Sequence, residues 1–177
     1  MDILAPLSGE ATLEIVLDNR EQRVIRQRAL LDAHRMPVVS FTVNMPGPVK
    51  DNTAARIVFA EGVRLLDALI SEQDWASLER MITEGPAGPE LVVTVAVDAR
   101  QLKKYTTNLE ETAPLGRLFD MDVLDAEGSS VSRTEIGFSP RLCLLCDRPA
   151  KECGRSRKHG LEAVLEKIRE MVVSYSA

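Results

Sequence analysis

The stretch "PLGRLFDMDVLD", Pro114 to Asp125, places three aspartates in a run whose other members are mostly apolar. Read as a β-strand, it puts Leu118, Asp120, Asp122 and Leu124 on one face and Phe119, Met121 and Val123 on the other, because successive side chains alternate. Two carboxylates at i and i+2 on one face repel each other and lose hydration, a cost that a cation or a basic partner offsets. Hard oxygen ligands in this pattern suit Mg²⁺, which commonly takes one or two carboxylates and shares its other positions with substrate phosphates and water. An exposed edge-strand face, with both aspartates in solvent, is the competing reading, and a D-x-D tripeptide alone does not decide. Arg117 lies just upstream, on the opposite face of a regular strand or free to swing if it sits in a loop.

Two further groupings carry chemistry. In "NMPGPVK", Asn44 to Lys50, Gly47 between prolines makes a stiff turn that can bring backbone close to a ligand, and Lys50 is placed for a phosphate contact. An ordinary strand-to-helix turn explains the same residues. In "CLLCDRPAKECGRSRKH", Cys143, Cys146, Cys153 and His159 are four soft or borderline ligands suited to a structural Zn²⁺. The spacing after the C-x2-C pair is irregular for a finger or ribbon. The segment from Arg141 to Lys158 also carries six basic residues against two acids, so unligated thiols in a basic loop that meets an acidic partner remain the other reading. No G-x-S-x-G, P-loop or dinucleotide fingerprint is present, and the two histidines support no Ser-His-Asp arrangement.

Composition bounds the rest. A chain of 177 residues, 45% hydrophobic and 28% charged, is expected to fold as one domain spanning 1–177. A net charge of -5 argues against nucleic acid as the partner. No apolar run approaches the roughly 20 residues that span a bilayer, and the first residues show no secretory pattern. Three cysteines, all within a short segment, argue against a disulfide scaffold and for the reducing cytoplasm.

These residues need elements to position them. Residues 12 to 33 read as a helix capped by Thr12. At about 100° per residue, one stripe collects Leu13, Val16, Leu17, Val24 and Leu31. Arg20 falls inside that stripe, Arg23 near its border and Arg26 well away from it. An arginine on a buried stripe requires an anion or a carboxylate, unless it extends from the stripe's edge to water. Val38 to Asn44 reads as a strand, 53–71 as a helix, "SLERMIT" as a weak strand, and "EGPAGPE" as a turn. Then come a strand "LVVTVAV", a helix "DARQLKKYTTNLEE", and the strand "RLFDMDVLD". A hairpin turn "AEGS", a return strand "SVSRTEI" and a terminal amphipathic helix complete the order. The expected class is α+β: a single layered domain with a mainly antiparallel sheet around a split β-α-β-β-α-β core, plus extra N- and C-terminal helices.

Taken together, "NREQRVIRQRALL", "PVVSFTVNMPGPVK", "PLGRLFDMDVLD" and "RLCLLCDRPAKECGRSRKH" resemble the holo-citrate lyase synthase family, the apo-citrate lyase phosphoribosyl-dephospho-CoA transferases. The likeness runs collinearly from about Ser8 to the end of the last helix. It implies transfer of a phosphoribosyl-dephospho-CoA group from its triphosphate precursor, triphosphoribosyl-dephospho-CoA, to a serine of the citrate lyase acyl carrier protein, with loss of pyrophosphate. It further implies Asp120 and Asp122 as Mg²⁺ ligands with Arg117 beside them in the catalytic set. Arg20, Asn44, Gly47 and Lys50 follow as substrate contacts, and Asp125 as a weaker candidate base. A zinc-stabilised binding module and a polyphosphate-binding regulator are the alternatives from other classes, and neither predicts Mg²⁺-dependent turnover.

Overall fold

The computed structural model describes residues 2–176. Its elements in chain order are α1 (Leu13–His34), β1 (Val38–Val43), α2 (Thr53–Glu72), β2 (Ala76–Thr83), β3 (Glu90–Ala96), α3 (Ala99–Thr112), β4 (Phe119–Leu124), α4 (Ala150–Ser156) and α5 (Leu161–Ser176). A single 3-10 turn, Gly116–Leu118, leads into β4. The strands form one sheet in the order β2-β3-β1-β4, and every neighbouring pair is antiparallel. That is the expected split arrangement, with β3 lying between β1 and β2, so the α+β class holds.

The sheet's two faces differ sharply. Val39, Phe41, Leu91, Val93, Val95, Phe119, Met121 and Val123 join the main core with buried residues of α2, α3 and α5. Phe41 stacks on Phe59 at 5.3 Å and meets Phe119 edge-on at 5.6 Å. Gly62 of α2 lies directly against the Phe41 ring, leaving no room for a Cβ. The opposite face buries only a small cluster of Val38, Val92, Leu30 and Leu31 under the end of α1. Nearer β4 this face turns polar, because Ser40 pairs with Asp122 and Thr42 with Asp120 across the β1–β4 register.

The first helix is capped by Thr12, as expected, but of its expected stripe only Leu31 is buried and Val16 half-buried. Leu13 is 75% exposed, and Leu17 and Val24 also face solvent. The face that meets the sheet presents Asn19, Arg23 and Arg26 to Glu90 of β3, whose carboxylate is 2% exposed. Asn19 Nδ2 donates at 3.0 Å and Arg23 Nε at 2.9 Å to one carboxylate oxygen. Arg26 donates to the other, and Thr83 Oγ1 approaches it at 3.2 Å. Contact made through an ion cluster overrides the weak apolar stripe. It also leaves Arg20 exposed rather than buried.

A second difference follows β4. The turn at Asp125–Ser129 forms, but "SVSRTEI" does not continue as a strand. One bridge joins Ser130 to Leu124 and the Val131 N–H donates to Val123, after which the chain coils. The cause is local: the Ser132 N–H donates to Glu135 Oε2 at 3.1 Å, and the Glu135 N–H donates back to Ser132 Oγ at 3.3 Å. This reciprocal S-x-x-E cap favours a helical turn over a ladder.

Burial opposes ionisation of Glu90, but the charges of Arg23 and Arg26 and the hydrogen bond from Asn19 outweigh it and hold the carboxyl below the usual range. Stability from such a group is complete above the unfolded pKa of about 4.3 and is lost as pH falls below it. Glu90→Gln is therefore expected to lower the unfolding free energy at neutral pH by about 3 kcal/mol. Urea titrations should show that gap narrowing toward about pH 4; equal midpoints at both pH values would mean that the cluster adds nothing.

Candidate active site

β4 is the edge of the sheet, and its outer backbone is closed by side chains of α3. The Met121 N–H donates to Glu110 Oε1 at 2.8 Å, and Lys103 Nζ donates to the Met121 carbonyl at 2.8 Å. Lys103 and Glu110 stand seven residues apart, two turns of one helix face, so both reach the same strand residue. With Met121 held and facing the core, alternation sends Asp120 and Asp122 to the polar face.

There they line a cleft of about 510 Å³ together with Lys103, Glu110, Ser130, Ser132, Arg133, Thr134, Arg141 and Lys151. Glu110 Oε2 accepts a hydrogen bond from Arg133 at 3.0 Å and forms an ion pair with Arg141 at 2.8 Å, and Arg141 lies 4.0 Å from Asp120. Arg133 also pairs with Glu111 at 2.9 Å. The cleft thus combines a carboxylate pair with converging cations and hydroxyls. Asp122 opens onto it, yet burial by the surrounding wall and the neighbouring Asp120 charge raise its pKa above the ordinary carboxylate value, against an opposing effect of Lys103. An ionised pair held in this way has the hard-oxygen chemistry of a divalent-cation site.

Arg117, in the turn before β4, lies beside the cleft in a crevice of about 80 Å³ that it shares with Asn44 and Arg141. Its guanidinium donates to the Leu142 carbonyl, and burial together with the Arg141 charge lowers its pKa. Asn44 donates its backbone N–H to Leu118 at 2.8 Å. Gly47, at φ +79°, packs against Leu161 of α5, whose side chain would lie 3.1 Å from an added Cβ. Lys50 is half-buried and donates to the Met45 carbonyl. Burial, and then the charge of Arg20, lower its pKa. Neither Lys50 nor Arg20 has an ion-pair partner among the described residues, and the two cations lie close enough to repel each other. Asp125 is spent on its turn, accepting the N–H groups of Glu127 and Ser129 at 3.1 and 2.8 Å.

The cysteine segment folds into a hairpin at 141–150 followed by α4. Cys143, Cys146, Cys153 and His159 converge, with ligand atoms all within 4.8 Å of one another, and the four could hold a metal ion. The thiols are free.

Apart from the two aspartates, no residue lining the cleft was singled out from sequence, and Lys103, Glu110, Arg133 and Arg141 are the most consequential of those missed. A lysine and a glutamate at i and i+7 within the buried stripe of α3, and the S-x-x-E cap that turns Arg133 inward, are the signals that point to three of them.

Like charges held together destabilise the folded state while both are ionised, and the penalty fades as pH falls toward the raised pKa of Asp122. Asp122→Asn is expected to raise the melting temperature at pH 7, by an amount that shrinks in mildly acidic buffer. A lower melting temperature at pH 7 would contradict that strain.

A family model described as apo-citrate lyase phosphoribosyl-dephospho-CoA transferase matches residues 11–175. Relatives bearing the same name include one from Escherichia coli O6:K15:H31 (strain 536 / UPEC), 40% identical over 174 residues, covering 97% of this chain and 95% of the relative. Another, from Shigella boydii serotype 18 (strain CDC 3083-94 / BS512), is 39% identical over the same shares. A third, from Escherichia coli O1:K1 / APEC, is 41% identical over 157 residues, 89% of this chain and 86% of the relative. By the span of the family match and the identity of these relatives, the chain belongs to the apo-citrate lyase phosphoribosyl-dephospho-CoA transferase family.

Proposed function

We propose that the chain acts as one transferase domain. It attaches the 2'-(5''-phosphoribosyl)-3'-dephospho-CoA group to a serine of the citrate lyase acyl carrier protein, using triphosphoribosyl-dephospho-CoA and releasing pyrophosphate. The enzyme is a transferase of the phosphoribosyl-dephospho-CoA group by family. The cleft supports the detailed reading: its cations and paired aspartates suit a triphosphate more than any neutral ligand. The serine oxygen bonds to the α-phosphorus, the bond from that phosphorus to the bridging oxygen breaks, and the hydroxyl proton is released. The product is a phosphodiester.

Catalysis of this kind is positioning and electrostatics. Asp120 and Asp122 fit Mg²⁺ by donor type and shared face, and the ion would neutralise charge on the reacting and leaving phosphates. Arg141, Arg133 and Lys151 face the same space and draw the triphosphate in, while Lys103 keeps β4 in register. The hydroxyls of Ser130, Ser132 and Thr134 offer further hydrogen bonds. Arg20 and Lys50 are assigned to a second anionic group, the diphosphate of the dephospho-CoA arm. Arg117 and Asn44 hold the wall that carries Arg141, and Gly47 lets α5 approach.

Zn²⁺ is the ion assigned to the Cys/His cluster, and three free thiols suit a reducing cytoplasm. Among the described residues no helix is long and apolar enough to cross a membrane.

Mass spectrometry of apo carrier protein incubated with the enzyme, precursor and Mg²⁺ tests the assignment. A mass gain equal to the prosthetic group is expected, and it should disappear with Asp120→Asn or Asp122→Asn. No gain with the parent enzyme would overturn the reading. Acyl carrier proteins are generally acidic, and Arg155 and Arg157 project into solvent at the end of α4. Reversing both to glutamate is expected to raise the KM for carrier by about tenfold, with little change in precursor binding. An unchanged KM would remove this segment as the docking surface.

A further inference from the structure

We propose that Cys143, Cys146, Cys153 and His159 bind one Zn²⁺, and that this centre holds the Arg141 wall of the cleft in its phosphate-binding position. The metal site needs only the four side chains, whereas its effect on the cleft rests on the transferase reading above.

Tetrahedral zinc with Zn–S bonds of about 2.3 Å and a Zn–N bond of about 2.0 Å separates its ligand atoms by roughly 3.5–3.8 Å. Cys146 Sγ lies 3.6 Å from Cys153 Sγ and 3.3 Å from His159 Nε2. The thiol separation far exceeds a disulfide bond of about 2.05 Å. Soft thiolates with an imidazole favour zinc over the hard cations that suit the aspartate pair. Four protein ligands also close the coordination sphere, which is the pattern of a structural ion.

The segment needs such a staple. Between Val131 and Ile168, Cys153 is the single buried residue. The hairpin is joined by the Cys143 N–H donating to Arg148 at 2.7 Å, the Ala150 N–H donating to Arg141 at 2.8 Å, and one bridge between Leu142 and Pro149. α4 adds only seven residues. Only partly buried side chains of this stretch, Ile136, Leu144, Val164 and Leu165, pack against the core, and metal binding adds order to it as folding free energy.

The ligands also come from the parts that shape the cleft. Cys143 and Cys146 sit in the hairpin that begins with Arg141. Cys153 sits in α4, whose first turn carries Lys151, and His159 precedes α5. Leu142, between Arg141 and Cys143, accepts the hydrogen bond from Arg117. Closing the metal site therefore fixes the backbone from which Arg141 reaches Glu110 and the neighbourhood of Asp120.

Protein purified under reducing conditions from zinc-supplemented cells is expected to hold about one zinc per chain by elemental analysis, and Cys146→Ser to hold almost none. Replacing zinc with Co²⁺ should give the thiolate charge-transfer and intense visible bands of a tetrahedral site. Adding inorganic tripolyphosphate to the Co²⁺ protein should shift those bands. Stripping the metal should weaken tripolyphosphate binding by about tenfold, reversed by Zn²⁺. Negligible zinc and no cobalt bands would overturn the site. Bands that ignore tripolyphosphate would overturn the link to the cleft, a readout that does not require the metal-free protein to fold. Stoichiometric zinc in a protein without transferase activity would leave the metal site standing and count against the function instead.

Discussion

Glu110 ties together three segments that otherwise have no reason to meet. One carboxylate oxygen accepts the Met121 N–H of the edge strand, and the other accepts Arg133 from the coil after β4 and pairs ionically with Arg141 from the cysteine hairpin. At 2% exposure, a carboxylate is tolerable only because every side of it is answered by a donor. Lys103 completes the arrangement on the Met121 carbonyl, so an edge strand that would offer free backbone to solvent is closed by one helix. The direction of Asp120 and Asp122 follows from this alone. If Met121 is fixed toward the core, its neighbours must face the cleft.

The same contacts set the charge of the site. Burial and the Asp120 charge raise the pKa of Asp122, and the nearby Glu110 charge adds to them against the opposing charges of Lys103 and Arg141. In the proposed reading, an incoming cation relieves the aspartates while the phosphates engage the arginines, so the two halves of the substrate complex settle opposite imbalances. A cleft fully neutralised on its own would bind neither. On that reading, the strain at Asp122 is the cost of a site built for a charged ligand, as expected where function opposes stability.

What the sequence made legible divides by range. β4 and its aspartate face could be read because alternation is local, and the split core could be read because strand and helix signals came in clear order. Local chemistry was also overread. "SVSRTEI" has strand residues, yet its Ser132–Glu135 cap competes with the ladder and wins. Apart from Leu31, the packing side of α1 was invisible because apolar periodicity assumes an apolar contact. Here the contact is with Glu90, a residue that reads as part of a turn and lies 67 positions from Arg23. Arg20 accordingly changes meaning: it is not a buried arginine awaiting a partner but an exposed cation beside Lys50. Lys103 and Glu110 were written plainly enough, as charged residues on the buried stripe of α3, but their common target on β4 exists only once the sheet forms.

The cysteine segment presented metal binding and partner binding as rivals, and the fold gives each its own residues. Cys153 points inward from α4 while Arg155 and the C-cap Arg157 remain in solvent, so the helix turns its thiol and these guanidiniums to different sides. A segment with so little apolar burial cannot orient a basic surface by packing. If the four ligands close on an ion, that ion gives the outer cations a fixed platform and gives Arg141 a fixed origin. The soft site and the hard site then stand in sequence rather than in parallel. Sulfur and imidazole hold the wall, and the wall presents nitrogen donors beside the carboxylates where phosphate chemistry would occur.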